Sequence, residues 1–206
     1  THASANTTLE ALACGLPSIC LPQRLDQFGT AVRLKRAGVA LVLTQKDQTP
    51  QKIKEAVALI LSAQERNSRG AWRYTPDSQD ADTTVTGAQM VALYAARNAG
   101  IPVPEEALKK GHAFMKRCRA SDGGYGYTSA GSGKPTLTAI GSLCLALAKE
   151  KDNKGYKASL GYLGKRLNYR DRFYPYYYEY YMSQALFPAD EQVWQERNAK
   201  NIRYLS

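Results

Sequence analysis

The 206 residues, 44% apolar and with a formal charge of +10 at pH 7, describe a globular chain able to bury a core in one large domain or two small ones. Such a charge favours nucleotide phosphates, nucleic acid or an anionic membrane surface, but the Lys and Arg residues are scattered (Lys35-Arg36, Lys109-Lys110, Lys116-Arg117, Lys165-Arg166). Without a nucleic-acid-binding motif they read as solvated helix faces, which excludes nucleic acid as a partner; no signal peptide or bilayer-length apolar run is present, so a cytoplasmic protein without a transmembrane segment is expected.

From the start of the chain, Asn6, Thr7 or Thr8 can cap a helix that carries Glu10 in its first turn and Leu9, Leu12 and Ala13 on its apolar stripe. The free N–H groups and dipole of such a helix start suit a phosphate. Gly15 stops the helix, and Leu16 to Leu21 is an apolar strand between Pro17 and Pro22. Asp26-Gln27 then presents a carboxylate and an amide at the strand's carboxyl end, the edge where open α/β sheets hold ligands.

The pattern His2-x-x-x-Asn6-Thr7-x-x-Glu10, Gly15-x-Pro17, Pro22, Asp26-Gln27 resembles the donor-binding signature of nucleotide-sugar glycosyltransferases with two Rossmann-like domains, the GT-B type. The resemblance covers residues 1–63 and implies a donor half-site. His2 and the amides around Asn6 and Thr7 would hold the diphosphate, Glu10 the ribose hydroxyls, and Asp26 with Gln27 the transferred sugar. A nucleotide-diphosphate sugar is then the expected ligand, and no cofactor is expected.

Phe28, Ala31, Val32 and Leu34 recur at helical spacing up to Gly38, and Val39 to Leu43 reads as a second short strand. Thr49-Pro50 starts a helix with Ile53, Ala56, Val57, Ile60 and Leu61 on its apolar face, ending near Ala63. The order is that of half a doubly wound sheet. Two strands do not make a stable sheet unaided, and an exposed edge favours self-association through the partial sheet. Residues 64–70 are polar apart from Gly70 and read as a linker.

Beyond it the pattern is helical. Helices are expected from Thr83, Thr84 or Thr86 to Asn98, from Pro104-Glu105 to Arg119, and from Thr136 to Ala148. Three more follow, over Tyr156 to Leu167, Pro175 to Phe187 and Ala189 to Tyr204. The segments Trp72-Arg73-Tyr74, Asp80-Ala81-Asp82-Thr83 and Ser121-Asp122-Gly123-Gly124-Tyr125-Gly126-Tyr127 resemble successive units of the α/α-toroid family of squalene cyclases and prenyltransferase β subunits. That resemblance, over residues 70–205, implies inner helices at 83–98, 136–148 and 175–187 around a cavity for a prenyl or other apolar ligand.

Asp77, Asp80 and Asp82 could form an acid cluster for alkene protonation, but their spacing is not the cyclase Asp-x-Asp-Asp motif, and helix caps and loop anchors are the favoured reading. The cysteines Cys14, Cys20, Cys118 and Cys144 lack metal-ligand spacing and read as reduced, buried thiols. With His112 alone in a basic helix, no metal site is expected. Glu179 lies among Tyr176, Tyr177, Tyr178, Tyr180 and Tyr181. It is either a carboxylate at the wall of a cavity with Tyr177 and Tyr181, hydrogen-bonded by Tyr hydroxyls or Arg172, or a polar residue meeting solvent.

The sequence therefore predicts a mixed fold: a partial α/β, half-Rossmann-like domain with parallel strands at 1–63, a linker at 64–70, and an all-α toroid-like domain at 71–206. The expected function is a composite or truncated protein, beginning within a motif, with a residual nucleotide-sugar site and no catalysis of its own. Alternatives are a fragment of an active glycosyltransferase, or a helical lipid-binding or interaction module.

Overall fold

The computed structural model describes residues 49–205 and two short strands, β1 (Ser18–Cys20) and β2 (Ala40–Val42). The strands pair in parallel, with Ser18 opposite Ala40 and Cys20 opposite Val42. The expected half-Rossmann domain is corrected: among the described residues the architecture is helical, carried by seven helices. Three paired residues per strand fall short of an α/β layer, which needs longer strands and more of them. The helices expected before Gly15 and over Phe28 to Ala37 lie outside the described residues.

Helix α1 spans Pro50–Arg66. The Thr49 hydroxyl accepts from the Lys52 N–H at 3.3 Å and Pro50 occupies the first turn, as Thr-Pro dictates. The helix continues past Ala63 because its last turn finds partners. Buried Gln64 donates through Nε2 to the carbonyls of Gly70 (2.8 Å) and Ala107 (2.9 Å). Asn67 donates from its amide to the carbonyls of Ser78 and Asp80, both at 2.8 Å. The polar stretch after α1 is thus fastened by side chain-to-backbone bonds.

Helices α2 (Thr83–Asn98) and α3 (Glu105–Cys118) follow. The turn between them uses Gly100 at φ +79°, where a side chain would be strained. Glu105 and Glu106 stand in the first turn of α3, and Lys116 and Arg117 in its last, in the sense the helix dipole favours. Helix α4 (Pro135–Leu147) is buried from Pro135 through Leu145, consistent with its nearly unbroken apolar and small-residue sequence. It packs against α2, α5 (Lys154–Gly164) and α6 (Pro175–Leu186); α7 (Glu191–Leu205) lies beside α6. At the α2–α4 crossing Gly87 lets Ile140 approach closely: a Cβ there would stand 2.0 Å from an Ile140 methyl.

The loop between α3 and α4 is tied to its surroundings through backbone. Tyr125 bridges Arg119 on one side and Lys134 on the other, and its N–H donates to the Thr138 hydroxyl at 3.0 Å. Thr83 donates from its N–H to the Tyr127 carbonyl at 2.8 Å and from its hydroxyl to the Gly126 carbonyl at 2.7 Å. One contiguous core results, containing Val57 and Ile60 of α1, Trp72, Leu93, Leu108, Ile140, Tyr178 and Met182. Packing of successive helical pairs is common to stacked helical hairpins in general and does not single out the toroid family. No helix among the described residues is long and apolar enough to cross a membrane.

Candidate functional site

The expected donor residues His2, Asn6, Thr7, Glu10, Asp26 and Gln27 lie outside the described residues. Among the residues that are described, the sequence singled out Glu179, and the structure gives it a definite environment. Only 7% exposed, it accepts from Arg197 at 2.5 and 3.1 Å, from the Asn201 amide at 2.6 Å and from Arg170 at 3.4 Å. It thus meets Arg197, Asn201 and Arg170, which the sequence did not single out, and it is buried and does not simply meet solvent.

Arg197 and Asn201 are four residues apart on α7 and so share one helix face; that spacing is the signal by which the sequence could have found them. Burial alone would lower the Arg197 guanidinium's pKa, but its hydrogen bonds to Glu179 raise it overall. The pair fastens α7 to α6. Tyr177 and Tyr181 stack edge to face at 4.9 Å on the same helix, with Tyr181 buried and Tyr177 partly so. The two described clefts are lined by other residues.

The aspartates separate by role. Asp82 is fully buried and caps α2, accepting from the N–H groups of Thr84 (2.8 Å) and Val85 (2.9 Å) and from the Thr84 hydroxyl. Its second oxygen meets Arg73 at 3.3 Å. Asp80 pairs with Arg73, and exposed Asp77 with Arg66. Burial pushes the Asp82 carboxyl upward, opposed by Thr84, Val85 and Arg73. Arg73 also lies over the rings of Tyr74 (5.1 Å) and Tyr127 (5.2 Å), whose hydroxyls bond to each other. This is a clasp between the segment before α2 and the loop before α4, with the carboxylate engaged by a cap and an ion pair.

Asp82→Ala is expected to lower unfolding free energy by about 1–2 kcal/mol, the upper part of the range for a lost N-cap, because Arg73 also loses its buried partner. Asp82→Asn, which keeps the cap acceptor, should cost less. Urea melts of the two variants check this; equal losses would show that the charge, and not the cap, carries the effect.

His112 is not paired with cysteine. Its Nε2 bonds the Tyr94 hydroxyl at 2.6 Å, and the rings meet edge to face at 5.9 Å. Burial lowers the His112 pKa, although Glu150 and Glu105 raise it in part. Cys118 and Cys144 are free and buried, and burial pushes the Cys144 thiol up to about 12. Both are thiols in core positions, as expected for small apolar side chains.

Residues 1–82 match the glycosyltransferase family 28 C-terminal domain. NDP-glycosyltransferase YjiC of Bacillus subtilis (strain 168) is 35% identical over 68 residues, covering 33% of this chain and 17% of that protein. Oleandomycin glycosyltransferase of Streptomyces antibioticus is 43% identical over 61 residues, 29% of this chain and 14% of that protein. UDP-glycosyltransferase 84A3 of Arabidopsis thaliana is 29% identical over 91 residues, 39% of this chain and 19% of that protein. The chain thus spans less than one fifth of the length of these curated relatives. No solved structure matches it at a significant level. The resemblance of residues 70–205 to prenyltransferases and squalene cyclases gains no support from these comparisons. Over residues 1–82, the chain is similar to the C-terminal domain of family 28 glycosyltransferases.

Proposed function

We propose that this chain supplies the donor-recognition share of a nucleotide-sugar glycosyltransferase, of which it is a fragment, in preference to a non-catalytic composite. The observation that carries this reading is the family match over residues 1–82, which encloses the whole pattern His2, Asn6-Thr7, Glu10, Asp26-Gln27. A diphosphate suits backbone N–H groups at a helix start, a ribose diol suits the Glu10 carboxylate, and sugar hydroxyls suit Asp26 and Gln27. Transfer further requires an acceptor and a base held against the donor in one geometry. On this reading those groups belong to other residues of a complete enzyme.

Isothermal titration of the full chain with uridine and thymidine diphosphate sugars tests the proposal. Saturable heat is expected with at least one donor. Glu10→Ala and Asp26→Ala should each weaken binding by roughly tenfold or more, as loss of a charged hydrogen-bond acceptor costs about 1.5–3 kcal/mol. Absence of heat with every donor, or variants that bind like the parent chain, would refute donor recognition.

A further inference from the structure

We propose that the cleft between α2, α3 and α4 binds a small organic anion: a phosphate or carboxylate group on a compact apolar body. The cleft encloses about 480 Å³, within the range of small-molecule pockets. Its rim holds more cations than carboxylates. Arg97 is engaged by Glu105 at 3.1 Å, and Glu150 accepts from the Asn153 amide at 2.8 Å. Lys109, Lys116 and Arg119 also line the cleft and form no ion pair among the described residues.

The remaining wall is suited to an apolar body. Met115 and Leu145 contribute to it, and the Tyr125 ring lies against Gly141, where a Cβ would stand 2.5 Å from the ring. The Tyr94–His112 pair presents an already hydrogen-bonded polar surface. Arg119 is placed by its surroundings. Its guanidinium passes directly over Gly155, where a Cβ would stand 1.3 Å from a guanidinium nitrogen. A cation held in that way, with two lysines on the adjacent helix, suits an anionic head group. The apolar wall beside it selects against a bare inorganic ion.

The test is a titration of the full chain, followed through the His112 ring signals by NMR. The chain has two histidines, and a His2→Gln variant assigns them. Phenyl phosphate or phenylacetate is expected to shift His112 saturably; the arm that binds identifies the head group. Phenol should leave it unmoved, and inorganic phosphate should bind more weakly than phenyl phosphate. Binding should weaken at least tenfold in Lys116→Ala/Arg119→Ala. Gly155→Ala keeps every charge and displaces only the flexible end of Arg119, so it should weaken binding at least threefold with the helical circular dichroism intact. The proposal is overturned if neither anion shifts His112, if phenol or inorganic phosphate binds as well as phenyl phosphate, or if the double variant binds like the parent.

Discussion

Glu179→Ala is expected to lower unfolding free energy by about 3–5 kcal/mol, the cost of removing one partner of a buried ion pair. The carboxylate accepts two bonds from Arg197 and one from Asn201, with both partners buried on α7. Without it the guanidinium has to remain charged away from water or pull α7 outward. The Arg197 side chain also lies 5.3 Å from the Tyr178 ring, which gives some compensation but cannot replace a charge. Urea denaturation measures the loss.

A paired replacement separates the lost bond from the stranded charge. Glu179→Leu/Arg197→Met should recover much of the stability that Glu179→Ala loses, because apolar residues of similar size often match a buried pair in stability. A double variant as unstable as the single one would mean that the hydrogen-bond geometry itself, including Asn201, holds α7 in place. A loss below about 1 kcal/mol in Glu179→Ala, the value typical of exposed pairs, would contradict the buried setting described above.

The helical boundaries were legible because local chemistry marks them. Thr49-Pro50 opens α1, Gly100 closes the turn after α2, and Pro104-Glu105-Glu106 opens α3. Each signal acts within one or two turns, the range over which capping and backbone preference operate. The half-Rossmann layer was not legible in the same way. Runs such as Leu16 to Leu21 and Val39 to Leu43 have strand composition, and among the described residues three of each pair, but composition says nothing about how many neighbouring strands exist. Glu179 stood out as a carboxylate among tyrosines, whereas its partners were set by tertiary packing. Arg197 and Asn201 come from another helix, and Arg170 from the loop before α6. The Asp82 cap was legible from type and position, as Asp immediately before a helical run. Its pairing with Arg73 depends on how the preceding segment folds back.

Trp72→Ala is expected to cost about 3–5 kcal/mol, the range for truncating a large buried aromatic. Trp72 is 3% exposed and stands where three helices meet. Its Nε1 donates to the Ile60 carbonyl of α1 at 2.8 Å, its backbone N–H donates to the Thr86 hydroxyl of α2 at 3.3 Å, and its ring rests against Gly111 of α3. Trp72→Phe keeps most of the ring volume and gives up mainly the indole bond, so its loss should be nearer about 1 kcal/mol. Hydrogen exchange adds a spatial readout. If the indole fastens α1 to the helices after it, amides of Val57 and Ile60 should lose more protection in Trp72→Ala than those of Ile140 and Leu143 in α4. Because Trp72 falls inside the stretch that matches the glycosyltransferase domain, the same comparison asks whether residues 64–70 divide the chain. Unchanged protection in α1 alongside a large loss in α2 and α4 would place a boundary there; coupled loss on both sides would make α1 and the following helices one folding unit.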